Sequence, residues 1–173
     1  MRSILASMAG AFVCLTAGAV TLPQEPANGS VLAEIDRKLF QCRSVDRHTQ
    51  CRRRSKEVER IEAEPISEIV LFYRDDKLVR SVFTFSEAHL DRLVQQLSQR
   101  LGAPIPGSER LKAGMGGVFE NRYFIWKRDG HAWFVEQFFE RITDSGLWTM
   151  SESELDTLLA ERERQRVRGA RDL

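Results

Sequence analysis

The sequence predicts an α+β fold: an antiparallel sheet of five to six strands with an N-terminal helix, one long amphipathic helix and a C-terminal helix. Three observations predict it. Asp129-Gly130 separates two aromatic-rich runs, which is a strong hairpin signal. Asp75-Asp76 separates Ser67–Tyr73 from Leu78–Phe85, two runs rich in β-branched and aromatic residues, so a second hairpin is expected there. Between the hairpins Leu90, Leu93, Val94, Leu97 and Leu101 recur at helical spacing, giving a helix over about 86–101 whose apolar stripe needs a sheet to lie on.

The N-terminus is of a different kind. Met1-Arg2-Ser3 is a short positive segment, Ile4 to about Leu15 is apolar, and Ala17-Gly18-Ala19 supplies small residues at the −3 and −1 positions of a signal-peptidase site. This predicts a cleaved signal peptide over 1–19 and a periplasmic or secreted protein. A retained anchor calls for about 20 strongly apolar residues, and this run is shorter and rich in small residues. A lipoprotein calls for a small residue just before its acceptor cysteine, and Val13 precedes Cys14. Residues 20–29 read as a linker, 30–160 as a single α+β domain and 161–173 as a charged tail. Removing 1–19 takes one arginine from 26 basic residues, leaving 25 against 25 acids. A balance of zero gives no electrostatic footprint for nucleic acid or an anionic membrane, and no stable membrane insertion is expected after cleavage. Cys42 and Cys51 then remain, and in an exported chain the pair reads as a disulfide.

Taken in order, Ser30 can cap a helix with Leu32, Ile35, Leu39 and Phe40 on one face, ending where the disulfide loop begins. Residues 51–64 suit either a helix, by propensity, or a short strand ending at Ile61; the scarcity of large apolar residues favours the strand. In the first hairpin a two-residue turn pairs Phe72 with Val79 and Val70 with Ser81. Ser86 caps the long helix and Gly102 stops it. Residues 102–117 are rich in Gly and Pro and read as a connector, since they lack the Gly-Lys-Ser/Thr ending of a phosphate loop. In the second hairpin Trp126 pairs with Trp133, Phe124 with Val135, Ile125 with Phe134 and Tyr123 with Glu136. A turn at Asp144-Ser145-Gly146 leads to one more strand. Ser151 or Ser153 then caps a helix carrying Leu155, Leu158 and Leu159, and Ser151-Glu152-Ser153-Glu154 fits a capping box.

From about Glu57 to Ser151 the pattern resembles a family of exported bacterial proteins of unknown function. The residues that carry it are Ile69–Tyr73 and Lys77-Leu78, the Leu93/Leu97/Leu101 helix ending in Gly102, then Asn121, Tyr123, Trp126, Gly130, Glu140, Ile142-Thr143, Gly146-Leu147 and Ser151. The resemblance implies a strand-like segment before the first hairpin and implies no catalytic residue. It does not extend to the N-terminal third.

Chemistry-bearing residues are sparse. His48, His89 and His131 each lack a second His or Cys two to four residues away, so no metal set is read from spacing. No Gly-x-Ser-x-Gly elbow and no cofactor motif is present, and no cofactor is expected. Glu136 and Glu140 fall on one strand face and are the only candidates for a general acid/base pair, as in a small periplasmic hydrolase. The better-motivated expectation is a non-enzymatic protein-binding or inhibitory module whose partner is another envelope protein. Phe124, Trp126 and Trp133 form the candidate partner face if no helix covers them. An exposed sheet edge could serve instead, and a closed cavity between sheet and helix would suit a carrier of small apolar ligands.

Overall fold

The computed structural model describes residues 29–45, 47–54, 59–112 and 117–171. The expected signal peptide and all but the last residue of the expected linker lie outside them. The fold is α+β, with one large antiparallel sheet of nine strands and two α-helices. Its strands are β1 (Gln41–Val45), β2 (His48–Arg54), β3 (Arg60–Ile61), β4 (Glu64–Arg74), β5 (Lys77–Ser86), β6 (Ile105–Lys112), β7 (Val118–Arg128), β8 (His131–Glu136) and β9 (Asp144–Ser151). They lie in the order β1-β2-β4-β5-β9-β8-β7-β6, with β3 pairing β4. The helices are α1 (Leu90–Leu101) and α2 (Glu152–Arg171).

Alternation along the strands divides the core into two layers, one on each side of the sheet. On one side Leu71, Tyr73, Phe83, Phe85, Trp126, Val135 and Leu147 pack with Leu90, Leu93 and Leu97 of α1. On the other Val70, Val82, Ile125, Phe134, Trp148 and Met150 pack with Leu155 and Leu158 of α2. Both faces of the central strands are therefore apolar, and each has its own helix.

The second hairpin has the expected register, with Trp126 opposite Trp133, Phe124 opposite Val135, Ile125 opposite Phe134 and Tyr123 opposite Glu136. The first keeps its expected turn, with Asp75 and Asp76 both at positive φ (48° and 61°) and Tyr73 opposite Leu78. Beyond Tyr73 the expected register is wrong: Phe72 faces Arg80 and Val70 faces Val82. Val79 is skipped in a bulge, which places Arg80 on the α2 side with Val82 and leaves Leu78 with Phe83 and Phe85 on the α1 side.

The expected N-terminal helix is replaced by a single 3-10 turn, Leu32–Glu34, between extended residues. Its backbone partners lie on the tip of the first hairpin. Gly29 N–H donates to the Leu78 carbonyl at 3.0 Å, Leu78 N–H to Ser30 at 2.9 Å, and Leu32 N–H to Asp76 at 2.8 Å. With those groups satisfied by the hairpin, an apolar stripe of four residues does not stabilise a helix. The connector expected over 102–117 is another correction, because most of it is β6, paired with β7 from Ile105↔Ile125 to Lys112↔Val118. Gly107 belongs there for space: a Cβ would lie 2.2 Å from the ring of Tyr123, its cross-strand partner. With β1, β2, β3 and β6, nine strands replace the expected five or six. In 51–64 the strand reading holds for β2 and β3, and residues 55–58 lie outside those described.

The long helix begins later than expected. Ser86 is extended and makes no side-chain cap bond, Glu87–His89 form a 3-10 turn, and α1 starts at Leu90. It stops as expected at Gly102, whose φ is 93°. At α2 Ser151 is the cap, its Oγ accepting from Glu154 N–H at 3.2 Å. The Glu154 carboxylate does not close the box. It accepts from Arg74 at 2.9 and 3.0 Å and from Arg80, and so bolts the first turn of α2 to the sheet. His48 Nε2 lies 3.0 Å from Arg74, and burial, helped by Arg80 and Arg74, holds its pKa below the ordinary histidine value.

The disulfide Cys42–Cys51 is present, and it closes a hairpin: the two residues are direct partners in the β1–β2 ladder. Replacing both cysteines with alanine is expected to lower stability to urea by about 2–3 kcal/mol, the loop-closure entropy of roughly ten residues. Amide exchange should speed up in β1 well before β4 and β5 respond. Equal urea midpoints for the two proteins would contradict this.

Candidate functional site

The richest assembly of side chains lies on the α2 side of the sheet, where β6, β7, β8 and β9 meet α2. Glu136, the last residue of β8, is 3% exposed. Its carboxylate accepts from Trp148 Nε1 of β9 at 2.6 Å and from Arg162 of α2 through two parallel bonds, Nη1 at 2.9 Å and Nη2 at 3.1 Å. The guanidinium of Arg162 lies over the Phe134 ring, 4.8 Å from its centroid, and 5.7 Å from that of Trp148. Its Nη1 also approaches Glu109 of β6 at 3.6 Å. Burial is the largest influence on Glu136 and pushes its carboxyl above the ordinary glutamate range. Arg162 and the Trp148 donor pull the other way, and Glu109 adds to the upward push.

Arg162 stands where two grooves meet. One, of about 730 Å³, has Tyr123, Phe134 and Leu159 among its walls, with Ser108, Glu109, Arg110, Glu120 and Glu163 around them. The other, of about 500 Å³, is walled by Leu111, Phe138, Phe139 and Trp148 and also reaches Asn121, Glu136 and Glu140. Glu109, Arg110 and Arg162 line both. The aromatic walls are held by specific contacts. Phe139 meets Trp148 edge-on with centroids 5.6 Å apart, and Phe119 meets Phe138 edge-on at 6.3 Å. Buried Asn121 fixes the segment after β8: its Oδ1 accepts from Phe138 N–H at 2.8 Å, while its Nδ2 donates to Glu109 at 3.2 Å. Beside this groove Val118 and Phe119 are 60% and 38% exposed.

The residues singled out from the sequence are distributed as follows. Phe124, Trp126 and Trp133 lie on the opposite, α1 side. Trp126 is 2% exposed and donates from Nε1 to the Gly102 carbonyl at 2.9 Å, and Phe124 and Trp133 are partly buried against the same cluster. That face is covered at its centre. Glu136 and Glu140 do line one groove, but each is matched by an arginine: Glu136 by Arg162, Glu140 by Arg52, which also donates to Glu68 at 3.0 Å. His89 contacts Glu64 at 2.6 Å, and His131 lies beside Trp133 with ring centroids 6.3 Å apart. Among the described residues no three His, Cys, Asp or Glu side chains are grouped as a metal ion requires. Among the same residues no helix is long and apolar enough to cross a membrane.

Arg162, Trp148 and Glu109 had not been singled out. For Arg162 a signal existed: it follows Leu155 by seven residues and Leu158 by four, on the stripe that faces the sheet. No family model, curated protein or solved structure matches this chain. What the grooves do is therefore argued from their own residues.

Proposed function

We propose that this is an exported envelope protein that binds another protein, without chemistry of its own, through the double groove beside α2. The observation that carries the reading is the aromatic groove of Leu111, Phe138, Phe139 and Trp148 opening beside exposed Val118 and Phe119. Aromatic residues in a recess next to exposed apolar surface are the usual anchors of protein interfaces. The leader-like first 19 residues and the Cys42–Cys51 disulfide support the exported location. The hydrolase reading is favoured by one observation, that Glu136 and Glu140 line the same groove, and weakened by the arginine bound to each.

Photo-crosslinking in the producing cells tests the proposal. A crosslinking residue at Arg110, on the groove, should capture a discrete protein that the same residue at exposed Gln99 of α1 does not. Identical capture from both positions, or none from Arg110, would overturn it.

A further inference from the structure

The charge of the double groove points to the partner. Its lining holds five glutamates, Glu109, Glu120, Glu136, Glu140 and Glu163, against two arginines, Arg110 and Arg162. Allowing for Arg52 on Glu140 still leaves an acidic excess, in a chain whose whole formal charge is +1. The walls are aromatic, and aromatic faces beside carboxylates attract cations and repel anions. The protein already seats one guanidinium this way, since Arg162 rests on Glu136 with Phe134 and Trp148 beside it.

We infer that the groove recognises a basic segment of its partner, an extended peptide in which arginine or lysine alternates with apolar residues. The apolar side chains fit the Leu111, Phe138 and Phe139 walls, and the basic ones face Glu109 and Glu120 across the mouth of the Tyr123 groove. This rests on the protein-binding reading above and adds the chemistry of the partner to it. An acidic or phosphorylated segment would meet the excess of carboxylates, and a wholly apolar one would leave it unmatched.

The test is fluorescence anisotropy on the full chain with three labelled decapeptides of alternating composition, Arg/Phe, Ser/Phe and Glu/Phe. The Arg/Phe probe should bind at least about tenfold more tightly than the Glu/Phe probe at low salt, with the gap narrowing as salt is added. Glu120→Lys/Glu163→Lys should abolish that preference. The same change in net charge made at Glu34 and Asp91, exposed residues outside the groove, should leave it intact. Equal binding of the Arg/Phe and Ser/Phe probes, or a preference that follows net charge wherever it is altered, overturns the inference. The crosslinking at Arg110 decides separately whether the groove binds protein at all, so a basic preference can fail while that reading stands.

Discussion

Replacing Arg162 with methionine is expected to cost about 3 kcal/mol at neutral pH, the low end of what removing one partner from a buried pair costs, because the guanidinium keeps a quarter of its exposure. Methionine retains much of the apolar packing against Phe134 and Trp148, so the loss isolates the charge. The cost should depend on pH with a definite sign. Burial raises the Glu136 carboxyl above its ordinary value in the folded protein. Between those two values the folded state holds a proton that the unfolded chain has released. Unfolding then releases a proton, and stability falls as pH rises through that window and levels off above it. Without Arg162 the carboxyl moves higher still and the window widens upward. The variant should therefore lie closest to the parent protein in mild acid and furthest from it at slightly alkaline pH. Adding Glu136→Gln should remove the extra pH dependence and recover part of the loss, a coupling that a double-mutant cycle of urea unfolding measures. A cost that is flat from pH 5 to 8.5 would show that Arg162 does not hold Glu136.

What was legible in the sequence was whatever local geometry decides. Asp129-Gly130 sets a two-residue turn, and strict alternation then carries the register from Trp126↔Trp133 out to Tyr123↔Glu136. The leucine stripe of α1 and its glycine stop were legible for the same reason. The missing parts depended on partners distant in sequence. Nothing near Val79 announces the bulge, and one skipped residue moves Arg80 to the α2 side, where it meets Glu154. Gly107 reads as a loop residue until Tyr123 is known to lie against it. Leu32, Ile35, Leu39 and Phe40 follow a helical spacing, but their backbone is taken up by the hairpin tip.

The candidate site followed the same division. Glu136 opposite Tyr123 was readable, as was the shared face of Glu136 and Glu140. Arg162 was hidden by its company, because 161–173 is dominated by charge and composition alone suggests a solvated tail. Helical phase from Leu155 and Leu158 is the stronger indicator: it places position 162 against the sheet, where an arginine must find a buried acid. Position on a helix outweighed composition here.

Trp126→Ala is expected to be the most damaging single substitution on the opposite face, at about 3–5 kcal/mol for emptying a buried tryptophan site. Two losses combine. The indole fills the space between β7 and the cluster that includes Leu93 and Leu97 of α1, and its Nε1 satisfies the Gly102 carbonyl that ends that helix. The effect should be regional: amide exchange in α1 should speed up by the largest factor, while α2, bound through Leu155, Leu158 and the Glu154 ion pairs, should change least. Trp133→Ala, at a half-buried position on the same face, should cost less and leave the Gly102 contact intact. The pair also separates the two faces as binding surfaces. If the α2-side groove engages the partner, Trp133→Ala protein that remains folded should still be captured from Arg110. Loss of capture with stability retained would return the binding surface to Phe124 and Trp133.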